Sequence, residues 1–190
     1  MSRYDEPAER GVRSRRRSKD RPDFADAVVG MVTAVDRGRI TCVHPDGLAH
    51  ADQITLTAVK ARELGRKAVV VGDKVRLVGD LSGRLDTLAR LVGIQERRTV
   101  LTRTADDADP YERVIVANAD QLAIVVAAAN PEPRTGLIDR ALVAALEAGI
   151  DPLLVITKSD LGDPARIAQV YAGMDLPHIA VDQTTGRGIG

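Results

Sequence analysis

The chain has 190 residues, 44% of them apolar and 28% charged, which is room for one or two ordinary globular domains. Its 27 basic and 27 acidic residues cancel, so any nucleic-acid binding has to come from local patches. With no Trp, one Phe and three Tyr, aromatic platforms for unpaired bases are scarce, and the lone Cys42 excludes an intramolecular disulfide. A thiolate-rich zinc site within the chain is excluded for the same reason. No apolar run reaches membrane length and the amino terminus lacks an apolar signal core, so a cytoplasmic protein is expected.

Residues 1–25 carry eight Arg and Lys against five acids, with no hydrophobic period. They read as a disordered basic arm, and Arg13, Arg15, Arg16, Arg17, Lys19 and Arg21 are candidates for RNA phosphates. The competing reading is a solubilising tail. From residue 26 the texture changes to short β-rich runs between turns. The runs are Val28–Val35, Ile40–Val43, Ala68–Val71, Lys74–Val78 and Leu85–Val92, with a helix-like insert at Ala58–Arg66. Over residues 26–95 this spacing predicts an all-β OB-type barrel, with an SH3-like barrel as the alternative.

Two features of this region imitate chemistry. Asp80-Leu81-Ser82-Gly83 matches D-x-x-G, the Mg2+-linked switch motif of GTPases, but its place between barrel strands makes it a β-turn. His44 and His50 flank a turn near Asp46 and Asp52, without a third ligand at a metal spacing. Residues 96–112 are charged and read as a linker, whose Arg97, Arg98 and Arg103 either extend an RNA-facing stripe or are simply solvated.

Residues 113–190 have another rhythm. Arg113–Ala117 and Leu122–Ala129 read as strands, the second buried on both faces. Thr135 caps a helix over Gly136–Ala148, with Leu137, Ile138, Ala141, Leu142, Ala145 and Leu146 on one face and Gly149 as the stop. Leu153–Ile156 follows as a strand. Asp163-Pro164 opens a second helix to about Met174, and His178–Val181 closes a β-α-β-α-β series. The class is α/β with a parallel sheet.

The strand at Leu153–Ile156 ends in Thr157-Lys158-Ser159-Asp160, which fits [N/T]-K-x-D, the guanine-reading motif of GTP-binding proteins. Ligands of open α/β sheets bind at this carboxyl edge. A carboxylate at Asp160 accepts from guanine N1–H and the N2 amino group; adenine offers neither donor and leaves the charge unpaired. Lys158 can lay its stem along the base with its ammonium hydrated. Thr157 stands where Asn is commoner, with one hydroxyl in place of an amide. No G-x-x-x-x-G-K-[ST] phosphate loop occurs in the chain, and Gly186-Arg187-Gly188-Ile189-Gly190 matches neither that loop nor G-x-G-x-x-G.

Taken in order, Arg98, Leu101, Arg103, Ile115-Val116-Ala117-Asn118-Ala119-Asp120-Gln121, Leu137-Ile138-Asp139-Arg140 and Thr157-Lys158-Ser159-Asp160 resemble the ribosome small-subunit-dependent GTPase A family. These are circularly permuted GTPases in which the guanine motif precedes the phosphate loop. The resemblance covers about residues 27–190 and departs at Thr157 and at Asp182-Gln183-Thr184, where a Ser-Ala-like base-backing loop is expected.

The resemblance implies an OB domain followed by an incomplete circularly permuted P-loop GTPase domain, as an amino-terminal fragment. It further implies GTP and Mg2+ as ligands, and Zn2+ in a carboxy-terminal domain. The implied partners are the small (30S) ribosomal subunit with its 16S rRNA and GTP or GDP, with no membrane and a monomeric state. Guanine-binding roles fall on Thr157, Lys158, Ser159 and Asp160. No catalytic or metal-binding residue is expected in this chain, which by itself is expected not to hydrolyse GTP. A reading of another class makes the chain an RNA-binding OB module with an α/β interaction platform and no GTPase activity.

Overall fold

The computed structural model describes residues 24–44, 53–65, 68–106 and 109–189, with residues 104–112 taken as backbone only. Arg13, Arg15, Arg16, Arg17, Lys19, Arg21 and His50 lie outside the described residues.

Strands β1 (Val28–Asp36), β2 (Arg39–His44), β3 (Ile54–Lys60), β4 (Lys74–Gly79) and β5 (Ala89–Ile94) close into a barrel in the order β1-β2-β3-β5-β4. All neighbours are antiparallel except β3 with β5. The period of two sends Ile40 and Cys42, Leu56 and Ala58, Val75 and Leu77, and Ala89 and Leu91 inward. At Gly30 an added Cβ would meet Leu77 Cδ1 at 2.7 Å and the Val43 carbonyl oxygen at 2.9 Å, so only glycine lets the wall close there. Burial pushes the Cys42 thiol up to about 12, which makes it a core residue and not a nucleophile.

Three expectations fail in the barrel, the first being the strand over Leu85–Val92: β5 starts only at Ala89 and runs to Ile94, and Leu85 is exposed in the turn before it. The helix-like insert at Ala58–Arg66 is not a helix over its described residues: Ala58–Lys60 end β3, and Arg62–Leu64 form a single 3-10 turn. Ala58 pairs with both Ile40 and Ala89 and is wholly buried, so sheet partners override its helix propensity. Ala68–Val71 is not a strand; Val71 makes one isolated bridge, to Val116. Asp80-Leu81-Ser82-Gly83 is a turn in which Asp80 Oδ1 accepts from the Ser82 amide at 2.9 Å.

The expected linker is also structured. Strand β6 (Val100–Asp106) pairs antiparallel with β7 (Asp109–Ala117), so the 113–117 segment belongs to a hairpin and not to the parallel sheet. That sheet comprises β8 (Gln121–Ala127), β9 (Asp151–Thr157) and β10 (His178–Ala180) in the order β10-β9-β8. Helices α1 (Thr135–Ala148) and α2 (Pro164–Val170) make the crossovers.

Arg134 and not Thr135 occupies the N-cap of α1, with no side-chain cap, and Gly149 ends the helix in the left-handed region at φ 66°. Asp163 caps α2 through Oδ1 to the Ala165 amide, 2.9 Å. Ile138, Leu142 and Ala145 of α1 are buried, whereas Leu137 and Leu146 of the expected stripe are exposed. Strand β8 is buried on one face only, with Val125 58% exposed. The Tyr171 hydroxyl donates to Asp139 Oδ1 at 2.8 Å, joining the end of α2 to α1; burial and that carboxylate push its pKa up to about 12.

Barrel and hairpin meet at Val71-Gly72-Asp73. Asp73 is fully buried and accepts from the Val70 amide (2.9 Å) and from Arg97 Nε (2.7 Å). Arg97 is therefore neither an RNA-facing nor a solvated residue; it neutralises a buried carboxylate, which holds the guanidinium pKa above its usual value. Gly72 has φ 84°, and a Cβ on it would lie 1.9 Å from the Ala117 carbonyl oxygen. Asn118, itself left-handed at φ 54°, donates through Nδ2 to the Gly72 carbonyl and accepts the Arg98 amide on Oδ1, each at 2.8 Å. Arg98 also pairs with Asp120, but both side chains are mostly exposed, so that pair adds little.

Asp73→Ala is expected to cost about 2–3 kcal/mol in urea unfolding, since it removes the charged acceptor of three hydrogen bonds, one from the Val70 amide and two from Arg97, and strands Arg97. A loss below 0.5 kcal/mol, the scale of an ordinary surface substitution, would show that the pair does not join the two units.

Candidate guanine-binding site

Parallel pairing brings the carboxyl ends of three strands to one edge. Strand β9 pairs in register with β8 from Gln121↔Asp151 to Ala127↔Thr157, and with β10 at Leu154, Val155 and Ile156. Leu154 and Ile156 are fully buried and fix the strand; the polar tetrapeptide begins where burial ends. Thr157, Lys158, Ser159 and Asp160 are thus presented between the loops that follow β8 and β10.

Each of the four residues is tied differently. Thr157 Oγ1 donates to the Val126 carbonyl (3.2 Å) and the Thr157 carbonyl accepts the Ala128 amide (2.8 Å), so its hydroxyl proton serves the sheet edge. Lys158 is left-handed at φ 56°, a rare conformation for a residue with a Cβ, and its carbonyl accepts the Leu161 amide at 3.0 Å. Its ammonium, expected to be only hydrated, donates to the Asn130 carbonyl in the loop after β8. Ser159 sends both its amide (3.3 Å) and its hydroxyl (3.2 Å) to the Val181 carbonyl. Asp160 is exposed, and its Oδ2 receives the Thr184 hydroxyl at 3.5 Å.

The resemblance gives Ser159 a guanine-binding role, although that residue fills the variable position of [N/T]-K-x-D, and expects a base-backing loop at Asp182-Gln183-Thr184, after β10. That loop folds on Asp182, whose side chain is 5% exposed. Its Oδ1 accepts the Thr184 amide (2.7 Å) and its Oδ2 the Thr185 hydroxyl (2.5 Å), while its own amide donates to the Arg187 carbonyl (2.9 Å). The signal was present in Asp182-Gln183-Thr184-Thr185, an acid followed two and three residues on by donors, the pattern of an Asx turn. The Thr185 hydroxyl, then the Thr184 amide, hold the Asp182 carboxyl below its ordinary value.

Among the described residues no group of three or more His, Cys, Asp or Glu side chains is placed to hold a metal ion. His44 Nδ1 lies 2.8 Å from the Val29 carbonyl oxygen, across the barrel wall. Neither Mg2+ nor Zn2+ finds such a ligand set among these residues. No described helix is long and apolar enough to cross a membrane.

A depressed carboxyl stabilises the fold above its unfolded value of 3.8, and that contribution is lost as pH falls through the lower folded value. Acid unfolding of the native chain below about pH 4 should therefore be steeper than that of Asp182→Asn, which lacks the titrating group. Coincident acid limbs in circular dichroism would show that the Asp182 contacts do not differ between folded and unfolded chains.

A family model described as RsgA GTPase matches residues 94–190. A Small ribosomal subunit biogenesis GTPase RsgA from Gemmatimonas aurantiaca is 35% identical over 130 residues, 66% of this chain and 41% of that protein. Its counterpart from Chlorobaculum tepidum is 30% identical over 171 residues, 86% of this chain and 55% of that one. The chain thus spans about half the length of the curated relatives it matches. Among solved structures, YjeQ from Thermotoga maritima superposes with a TM-score of 0.62 at 24% identity, over 86% of this chain and 54% of that one. YloQ, a circularly permuted GTPase, gives 0.60 at 22% identity, over 83% of this chain and 52% of its own. The folds agree, and with the family model covering the hairpin, the parallel sheet and the tetrapeptide edge, the chain belongs to the RsgA GTPase family.

Proposed function

We propose that this chain is the base-reading and RNA-facing part of a cytoplasmic GTP hydrolase that assists late maturation of the small (30S) ribosomal subunit. The observation that carries the reading is the Thr157–Asp160 edge, held on a strand paired on both sides and faced by the 182–187 loop. Membership of the family and the names of its relatives support the reaction class and the ribosomal partner. The barrel order β1-β2-β3-β5-β4, with one parallel pair, supports an OB-type barrel, a fold often used on oligonucleotides.

In this mechanism the exposed Asp160 carboxylate accepts guanine N1–H and the N2 amino group. Lys158, bridged to Asn130, stiffens the rim on which the base rests. Thr157 and Ser159 hold the tetrapeptide to β8 and β10 rather than touching the base. The triphosphate and Mg2+ require a phosphate loop, a run this chain does not contain, so the chain by itself recognises the base without hydrolysing GTP. The protein acts as a monomer on the subunit, and Arg13, Arg15, Arg16, Arg17, Lys19 and Arg21 add contacts to 16S rRNA phosphates. Zinc is assigned to the carboxy-terminal domain the family resemblance implies.

Base choice tests the site. In the full polypeptide that the gene encodes, Asp160→Asn should weaken GTP binding and improve binding of xanthosine triphosphate, whose base replaces the N2 donor with an acceptor that an amide can meet. Unchanged GTP affinity in an equilibrium titration would remove Asp160 from the base site. For the arm, deleting residues 1–25 should weaken binding to 30S subunits and flatten its salt dependence. Each lost phosphate contact is expected to reduce the log–log slope by about 0.7–0.9. Equal slopes with and without the arm would make it a tail only.

A further inference from the structure

The guanine motif occupies the carboxyl edge of the parallel sheet. The amino edge, where β8 and β9 begin at Gln121 and Asp151, carries a groove of its own. Its volume is about 380 Å³ and its floor is apolar: Leu142 and Leu146 from α1, Met174 from the 3-10 turn after α2, and Leu176 from the chain entering β10. Leu142 is buried beneath it, but Leu146 is 62% exposed and Met174 59%, so two large apolar side chains face water in one depression. The rim is acidic. Asp151 and Asp175 line it, both exposed, and among the described residues neither enters an ion pair. No Lys or Arg is among the described residues that line the groove. Leu146 sits in the last turn of α1, whose dipole adds negative potential at the same place.

This combination decides the class of occupant. RNA is disfavoured, since its phosphates would meet carboxylates and a helix carboxyl end with no cation between them. The chain's own arm has the charge, but residues 13–21 contain no apolar side chain to fill the floor. An apolar anchor flanked by Lys or Arg satisfies both demands, and Met174, with its unbranched thioether, adapts to anchors of different shape. Proteins that neutralise RNA phosphates are the ones that carry such cationic runs. We propose that the groove at the amino edge of the parallel sheet, between α1 and the turn after α2, docks a lysine- and arginine-rich protein segment with an apolar anchor, the tail of a protein of the small ribosomal subunit. The inference rests on the ribosomal reading above and not on the guanine site, which lies at the other end of β9. A segment docked there does not compete with nucleotide.

The experiment uses the full polypeptide and purified 30S subunits. Asp151→Lys carries a test of sign. Against a basic tail it weakens subunit binding several-fold, whereas against RNA an added cation strengthens binding and steepens its salt dependence. Met174→Glu is expected to weaken binding about tenfold or more, the loss of one buried apolar side chain, and Met174→Leu to restore it. Both positions are exposed and far along β9 or beyond α2 from the tetrapeptide, so GDP affinity should not change in these variants. With a photo-reactive residue in place of Met174, cross-links on the subunit should fall on a Lys- and Arg-rich protein segment. Tighter or unchanged binding by Asp151→Lys overturns this inference and leaves the ribosomal reading standing. So do cross-links that are absent, or confined to rRNA, to residues 1–25 or to a second copy of the chain. Failure of the unaltered polypeptide to bind 30S subunits overturns that reading and this inference together.

Discussion

A carboxylate removed from water must be met by hydrogen bonds or by a positive charge, and at the fully buried Asp73 this chain supplies both. Its partner, Arg97, comes three residues after β5, so neutralising the charge pins the segment leaving the barrel against the turn that enters β4. The adjoining contacts then have one geometry open to them. Gly72 touches the Ala117 backbone, and Asn118 turns left-handed to satisfy the Gly72 carbonyl and the Arg98 amide. The β6–β7 hairpin is held to the barrel by these contacts, and β8 starts three residues beyond Asn118. One buried ion pair and the glycine beside it thus fasten to the barrel the hairpin from which β8 departs.

At the opposite end of that sheet, three loops are joined through a few carbonyls. Asn130 accepts Lys158, Val181 accepts Ser159 twice, and Val126 accepts Thr157. Backbone acceptors suit this task, because sheet pairing fixes where they point and side-chain entropy does not compete. The side chain left with exposed acceptor capacity is Asp160, the one group in the tetrapeptide that a base with two adjacent donors would need.

What the sequence makes legible is what local chemistry decides. The apolar run Leu153–Ile156 before a polar tetrapeptide marks a strand and its functional edge, and Asp163-Pro164 and Gly149 mark helix ends. Other features depend on partners far along the chain. β3 contains Ala58-Val59-Lys60, acceptable to a helix, and becomes strand because β2 and β5 lie on either side. The charged 96–112 stretch looks like a linker until β6 finds β7, and Arg97 looks solvated until Asp73 is buried 24 residues away in sequence. The tie of Ser159 to the sheet edge carried no sequence signal, since its acceptor, Val181, lies just past β10, 22 residues along the chain. The Asp182 turn was readable in principle; its aim at Asp160 was not.

The two halves also treat strand edges differently, which explains where the motif sits. The barrel closes on itself and leaves no free edge. Among the described residues the parallel sheet has two edge strands, β8 and β10, and apolar side chains such as Val125 are exposed on it. Strand β9 is the one member paired on both sides, with Leu154 and Ile156 fully buried. A group that must distinguish bases by two hydrogen bonds tolerates errors of only about 0.5 Å. An edge strand, held on one side, would pass its own motion to such a group. Mounted on the central strand and laced to the loops on both flanks, the tetrapeptide inherits the position of the best-constrained backbone in the sheet.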